Sequence, residues 1–470
     1  MNLVENKHYS KWTILFVVVM MSFISCVDSS IVNVALPVMA KKLSVSMAEI
    51  EWVVASYVMV ICASLLIFGR LGDMKGKSSI FKIGTIVFTA ASLMCGFSSS
   101  LIMLLIFRVL QGIGAGAYMA NNQGIITQIF PKEERGKALG ILASAVALGT
   151  MIGPPVGGFI ISLFSWNYIF LVNVPIGIIA FIAGLLVLPK GKNIDEKFDT
   201  KGSVLYFMVI ILLFGSLIGE QQLGYKNPII IVSFVLSIIC LIVFIALQRK
   251  TKFPLLNLEI FKNDLFSLSL FCALVSFVCI SASIIIIPFY LQDTLKMSSA
   301  NSGLFMMIQP IIIALISPIT GNMSDKLGAK ILTLVGLISM SGGFLLMSFL
   351  NEHSLLINAA LCIVLIALGQ GFFQPANNSL IMSTVSKNKL GIAGSINSLV
   401  RNLGQMIGIT LSTTILYNFM SIKIGHRVVD YVFGRDDVFV YGMRYVYMTL
   451  VFICLFGIFL TTFRIYRKRF

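Results

Sequence analysis

The amino-acid sequence predicts an all-α membrane protein of fourteen transmembrane helices, two six-helix halves with two further helices inserted between them. Three observations carry this. The 470 residues are 58% hydrophobic and 11% charged, with a mean hydropathy of +0.96, whereas an ordinary soluble domain is about a quarter charged. Runs of about 20 apolar residues, enough to span the hydrocarbon core as a helix, recur from end to end. Short motifs of the first part return in the second at a nearly constant offset.

In order, the spans are expected at residues 12–36, 50–69, 80–98, 101–122, 138–162, 166–188, 203–220, 228–247, 267–291, 301–322, 330–350, 355–381, 391–416 and 445–463. Lys7 and Lys11 ahead of the first run imitate a signal peptide. That run is too long for one and carries Asp28, so it reads as a retained first span. The domains follow as residues 1–190 (first half), 191–265 (inserted helices and linkers) and 266–470 (second half). An outer segment at 417–445 is expected to form an amphipathic helix or hairpin on the surface, or a flexible tether.

The formal net charge of +16 has a topological reading. With both termini cytoplasmic, 25 of the 35 Lys and Arg fall in cytoplasmic segments, 8 in outer ones and 2 inside spans, as the positive-inside rule requires. The lipid bilayer is therefore the expected partner, and nucleic acid is not. The eight cysteines lie in apolar segments without Cys-x-x-Cys spacing and the three histidines lie at ends or in loops, so neither disulfides nor a metal site are expected. No phosphate-binding Gly-x4-Gly-Lys-Ser/Thr loop is present.

The repeats define the halves. Gly69-Arg-Leu-Gly-Asp73-Met-Lys-Gly76 returns as Gly321-Asn-Met-Ser-Asp325-Lys-Leu-Gly328, an offset of 252, and Leu148-Gly149-Thr-Met-Ile-Gly153 as Leu403-Gly404-Gln-Met-Ile-Gly408, an offset of 255. Gln111-Gly112 matches Gln370-Gly371 at 259, and Pro37 and Pro288 close the first spans of the halves at 251. Such duplication marks transporter folds that rock one half against the other around a midplane site.

Asp28 is the one acid deep in a span on this reading. A carboxylate there costs roughly 3 kcal/mol on insertion scales, so it faces a cavity or a partner and points to function, with a structural acid satisfied within the bundle as the alternative.

These motifs resemble the major facilitator superfamily, specifically its fourteen-span drug:proton antiporter branch of multidrug, quaternary-ammonium and tetracycline-type exporters. Asp28–Pro37 resembles the span-one signature of that branch, Gly69–Lys77 the loop between spans two and three, and Arg108–Gly114 the span-four signature. Gly149–Gly158 resembles the span-five antiporter signature, Trp166–Gly177 that of span six, and Asp199–Leu205 the segment before span seven. The resemblance implies the major facilitator fold and a secondary active exporter of amphiphilic small molecules such as drugs or biocides, cationic ones included. A proton serves as coupling ion, no other cofactor is called for, and the protein works as a monomer in the cell membrane. An exporter of a neutral or anionic metabolite is the alternative, since two membrane arginines stand against one acid. A membrane enzyme or lipid-handling protein is a remote one, because no nucleophile or His/acid cluster is visible; the chain is not expected to be an enzyme.

Spans one and four adjoin in that superfamily. Asp28 lies ~13 Å from Pro37 and Arg108 ~11 Å below Leu101 at ~1.5 Å per residue, so the two can meet at one level. An opposite charge favours ionised Asp while burial favours the protonated form, which suits proton coupling; a permanent structural ion pair is the alternative. Their second-half counterparts, Cys279 and Ala367 by the offsets above, are uncharged. Arg401 lies ~15 Å into span thirteen and should face the cavity or cap backbone carbonyls. Asn33, Tyr57, Gln111, Asn121, Asn122, Gln309, Gln374, Asn377 and Asn378 are cavity candidates, or interhelical hydrogen-bonding residues.

Gly69, Asp73, Gly76 and Lys77, with Asp325 in the second copy, read as an inner gate loop in which Gly72 and Gly76 permit unusual backbone angles. Gly149, Gly153, Gly157 and Gly158 allow close helix contact, while Pro154 and Pro155 would kink the helix. That makes a tight interface resisting proton leak, or packing alone.

Overall fold

The computed structural model describes residues 10–466 apart from 132–134, 190–196, 225–226, 257, 325–327 and 386–389. Long helices run up and down: α1 (Lys11–Leu43), α2 (Trp52–Lys75), α3 (Lys77–Gly96), α4 (Leu101–Ile129), α5 (Arg135–Leu163), α6 (Asn173–Val187) and α7 (Thr200–Leu223). They continue as α8 (Pro228–Lys250), α9 (Asp264–Phe289), α10 (Ile308–Met323), α11 (Ala329–Met347), α12 (Leu356–Ser383), α13 (Leu390–Ile424) and α14 (Asp436–Tyr466). Short helices Met47–Ile50, Tyr168–Leu171 and Ser299–Met306 lead into α2, α6 and α10, and a π turn, Tyr290–Thr294, extends α9. Among the described residues there is no strand. Among the described residues thirteen helices, counting the short lead-ins, are long and apolar enough to cross a membrane, and α5 adds the apolar stretch Leu148–Leu163. The chain is a multi-pass membrane protein.

Local chemistry sets the helix ends. Ser10 and Ser100 accept backbone N–H bonds from the first turns of α1 and α4, Asn263 accepts two at α9, and Asn227 precedes Pro228 at the first turn of α8. Between α2 and α3 the chain turns on one residue, Gly76, at φ 92°, and Gly328 repeats this before α11 at φ 85°. Only glycine adopts such angles without strain. Gly72, expected to share that role, is helical; a Cβ there would lie 1.8 Å from Asn121 Oδ1 on α4, so it serves close packing instead. Asp325 lies outside the described residues.

Packing repeats across the two parts. α1 lies on α5 as α9 lies on α13, α3 on α4 as α11 on α12, and α2 on α4 as α10 on α12. Glycines make these contacts. A Cβ on Gly149 would lie 2.5 Å from the Phe23 carbonyl, and one on Gly404 2.6 Å from Phe277 Cβ. A Cβ on Gly84 would lie 2.7 Å from the Gly114 carbonyl, and one on Gly336 2.6 Å from the Gly369 carbonyl. The last pair corrects the alignment of the halves. Gly114 matches Gly369, an offset of 255, and Leu101 and Leu356 open the two helices at the same offset. The counterpart of Arg108 is therefore Ile363, and Gln370 sits one turn deeper than Gln111. A four-residue slip keeps a residue on nearly the same helix face, which is why the dipeptide match misled. The register of α1 against α9 stays at 251, and Cys279 remains the counterpart of Asp28.

Two boundaries differ from the sequence reading. Pro37 and Pro288 do not close their helices; α1 runs to Leu43, and α9 to Phe289 before its π turn. Proline ends a helix only when nothing holds the next turn, and here both prolines are buried in the bundle. The segment 417–445 is neither a separate amphipathic helix, nor a hairpin, nor a tether. α13 and α14 extend through most of it, leaving 425–435, which turns on Gly425 and Gly434 at positive φ.

The inserted helices are unequal. α7 touches both parts, α2 and α13, and the Tyr206 hydroxyl donates to the Cys62 carbonyl at 2.6 Å. α8 packs mainly on α7 and presents Ile229, Val232 and Ile242 outward, the composition of a lipid-facing surface.

The glycine contacts predict a contrast in stability. Gly149→Ala forces a Cβ against the immobile Phe23 backbone and should cost roughly 1–3 kcal/mol through overpacking. Gly215→Ala, on α7 with nothing within 4 Å, should be neutral or stabilising. Thermal unfolding of the detergent-solubilised protein reads both; a Gly149→Ala melting curve matching wild type would contradict this packing.

Candidate functional site

Four helices place polar groups around one point inside the first half. α1 carries Asp28, α4 carries Arg108 and Gln111 one turn apart, α6 carries Asn173, and α2 contributes Tyr57 and the Val53 carbonyl. Asp28 and Arg108 are both 0% exposed. Arg108 Nη1 donates to Asp28 Oδ2 at 2.8 Å and to Gln111 Oε1 at 2.6 Å, while Nε donates to the Val53 carbonyl at 2.8 Å. Asp28 Oδ1 accepts from Gln111 Nε2 at 3.0 Å and from Asn173 Nδ2 at 2.6 Å. Gln111 Nε2 also donates to Ser92 Oγ at 2.8 Å. The guanidinium lies 4.0 Å from the Tyr57 ring centroid and 5.6 Å from that of Phe170, a cation–π contact strengthened by desolvation.

These contacts define the local chemistry. A buried carboxylate needs an opposite charge and hydrogen-bond donors; Asp28 has one cation and three donors spread over two oxygens. Two buried atoms of the cluster, Arg108 Nη2 and Asn173 Oδ1, have no protein hydrogen-bond partner, so the cluster keeps one free donor and one free acceptor. Every bond to Asp28 crosses between helices, and relative helix motion must therefore change how the carboxylate is held.

Of the cavity candidates, the structure brings Tyr57 and Gln111 to Asp28. Asn33, on the same helix, is half-buried with its Oδ1 unpartnered. Others prove to be joints between helices. Asn121 donates to the Phe68 carbonyl, Asn122 to Ser22 Oγ, Gln309 to Gln370 Oε1 and Asn377 to the Ser269 carbonyl. Asn378 is exposed and accepts from Asn397, and Gln374 is half-buried. Arg401 on α13 is half-buried and makes no hydrogen bond or ion pair among the described residues, but its charge acts on Cys26, two residues from Asp28. It faces the first half across the interface and does not cap carbonyls.

The loop and the glycine motif lie elsewhere. Asp73 forms an ion pair with Lys77, the first residue of α3, and Gly69 lies over Ala120. Gly149, Gly153 and Gly157 lie against α1 from Phe23 to Ile31, and Gly158 against the backbone of Ser299 and Ala300. The helix continues through Pro154 and Pro155, and Gly303 packs on the Pro154 carbonyl.

Sequence reasoning missed Asn173, Ser92 and a second buried acid, Glu51, which is 2% exposed. Asn173 had a signal, an amide inside an apolar span just before Pro175. Glu51 had none, since it sits at a span end, where acids are ordinarily solvated.

Comparison with known proteins follows this geometry. A family model described as Major Facilitator Superfamily matches residues 18–409 and 269–469. The chain is 33% identical to the riboflavin transporter RibZ of Clostridioides difficile, covering 96% of this chain and 97% of that protein. It is 30% identical to the multidrug transporter protein MdtP of Bacillus subtilis, covering 91% and 78% respectively. With the multidrug export protein EmrB of Haemophilus influenzae it shares 28% identity, covering 84% and 79%. Among solved structures, it superposes on a POT family transporter in complex with 5-aminolevulinic acid with TM-score 0.69 at 16% identity, covering 94% of both chains. A bacterial homologue of the human lysosomal transporter Spinster, inward-facing and unoccupied, gives TM-score 0.65 at 17% identity, covering 97% of both.

The pair predicts a thermodynamic asymmetry. Arg108→Gln leaves a buried carboxylate without its cation and should cost about 3–5 kcal/mol. Asp28→Asn with Arg108→Gln should recover most of that loss, because no charge is then stranded. Arg108→Lys should rescue only partly, since a point charge does not reproduce the planar fork. Unfolding midpoints of the three variants test this; additive losses would mean the residues do not hold each other.

Proposed function

The chain belongs to the Major Facilitator Superfamily, and from that membership we propose that it is a proton-coupled exporter of amphiphilic small molecules working by alternating access. The carrying observation is the Asp28–Arg108–Gln111–Asn173 cluster, an ionisable group fully buried and bonded only between helices. When the halves rock, the side of the cluster that meets water changes, and the Asp28 proton exchanges on that side. Substrate and proton then compete for the cluster, which is antiport. Multidrug transporters among the relatives support a broad amphiphilic specificity. The charge bias of the loops supports cytoplasmic termini and a cell-membrane location, so that protons enter as substrate leaves. The Asp73–Lys77 pair and the Gly76 turn then lie at the cytoplasmic face and set the rate of cycling.

A second reading, transport of a neutral or anionic metabolite, is favoured by Arg401. Among the described residues its guanidinium has no acid partner where the halves meet, and it could receive an anionic or strongly polar group. The riboflavin transporter among the relatives keeps that class in view.

Inverted vesicles with a preformed pH gradient separate the readings. A panel of amphiphilic cations, neutral aromatics and anions is added, and collapse of the gradient is followed for each. Cations should collapse it in wild type, and none should in a well-inserted Asp28→Asn protein. Uphill export surviving in Asp28→Asn would remove Asp28 from coupling. Gradient collapse by anions alone, abolished in Arg401→Gln, would establish the second reading. Gly76→Ala should slow the cycle with equilibrium binding near wild type; lost binding at an unchanged rate would contradict a gating role for the turn.

A further inference from the structure

The face of the bundle opposite the chain termini, where α1 ends and α2 begins, holds the two halves together by contacts the transport cluster does not use. A capping box between Ser46 and Glu49 starts the short helix Met47–Ile50, and Glu51 follows where that helix passes into α2. Glu51 is 2% exposed, yet its surroundings come from the other half of the chain. The Tyr417 hydroxyl of α13 donates to Glu51 Oε1 at 3.2 Å. Thr413, one turn before Tyr417, is hydrogen-bonded to it as well.

The chemistry of these neighbours fixes the state of the carboxyl. The Thr413 hydroxyl also reaches the Ile409 carbonyl at 3.0 Å, so Glu51 has two neutral hydroxyls around it, and these do not replace the hydration shell that a carboxylate loses on burial. Among the described residues, no cation pairs with Glu51. The nearby charge that acts on it is another acid, Asp430, whose own carboxyl is pushed above the usual range by burial. Glu49 is occupied by the Ser46 backbone and hydroxyl. Asp293, which acts on Tyr417, is paired with Lys41 at 3.8 Å, itself a contact between halves. A carboxylate with only two neutral hydroxyls, no cation among the described residues and an acidic neighbour is disfavoured in a buried interface relative to its protonated form.

We infer that Glu51 is a second proton-binding residue of this transporter, taking up its proton as this face closes and releasing it as the face opens. The inference rests on the alternating-access reading above. Its sign is set by linkage. Closing moves Glu51 from water into an interface that favours its protonated form, so acid favours the closed face and alkali the open one. Burial of Asp430 pushes in the same direction. A proton arriving from the side this face opens to would thus close it, which links the direction of the proton gradient to the order of the cycle without involving Asp28.

Spin labels at Lys42 and Ile422, both exposed on this face, report its opening without any substrate. Measured in the Asp28→Asn protein, the open-to-closed ratio should rise by about tenfold per pH unit for each coupled proton. Adding Glu51→Gln should remove about one proton from that slope and hold the face closed at alkaline pH. An unchanged slope, or closing on alkalinisation, overturns the inference. Should Glu51→Gln fail to fold, Thr413→Val with Tyr417→Phe keeps the acid and removes its partners. The closed population should then fall at every pH while the slope persists, and an unchanged population overturns the inference equally. Because the readout is free of substrate and of Asp28, its failure leaves the coupling role of Asp28 standing, whereas intact gating without export would count against the transport reading alone.

Discussion

A charge enclosed by apolar helices must be compensated by groups that those helices carry, and around Asp28 this requirement organises the first half. In a low-dielectric site an unpaired carboxylate or guanidinium is far costlier than in water, and the pair is tolerable only with near-complete hydrogen bonding. The chain meets the condition with one residue from α1, two from α4, one from α6 and a carbonyl from α2. At the corresponding point the second half carries the uncharged Cys279 and Ile363, and its buried charge lies elsewhere: Arg464 on α14 donates to Ser269 Oγ at 3.0 Å and to Thr333 Oγ1 at 2.6 Å. Duplication supplied the scaffold twice, and the acid–arginine pair was placed in one copy.

The same requirement explains the glycine contacts. For Asp28 to reach Arg108 and Asn173 directly, α1 must lie close to its neighbours, and Gly149, Gly153 and Gly157 let α5 support it from behind with backbone near backbone. α7 then spans both halves while α8 stands in lipid, so the inserted pair adds one joint and leaves the repeated packing unchanged. Motion is confined to surfaces where the halves meet, and there the contacts are of a breakable kind: a tyrosine on an acid, a lysine partly in water, an arginine without a partner.

Much of this was legible in the sequence. Span number and halves follow from hydropathy and repeats; the meeting of Asp28 with Arg108 follows from helix rise once the resemblance to the superfamily places spans one and four side by side. The depth argument found the right partner even though α1 continues past Pro37, because both residues are counted from the same face. What was illegible depends on register and tertiary contact. A dipeptide match could not distinguish Ala367 from Ile363, since one helical turn returns to the same face. Asn121 and Asn377 looked like cavity residues because an amide in a span serves either purpose, and only the position of the opposing carbonyl decides. The segment 417–445 looked like a loop because its charges hide two helices reaching beyond the membrane. Glu51 was invisible because its burial comes from Tyr417, hundreds of residues away.

The central claim, that Asp28 exchanges its proton against substrate, is tested most directly by proton release on substrate binding. Purified protein in weakly buffered detergent solution is mixed with a transported compound, and pH is followed with an indicator dye. Wild type should release about one proton per substrate bound at a pH where Asp28 is protonated, and Asp28→Asn should bind without release. Equal release from both proteins would contradict the account.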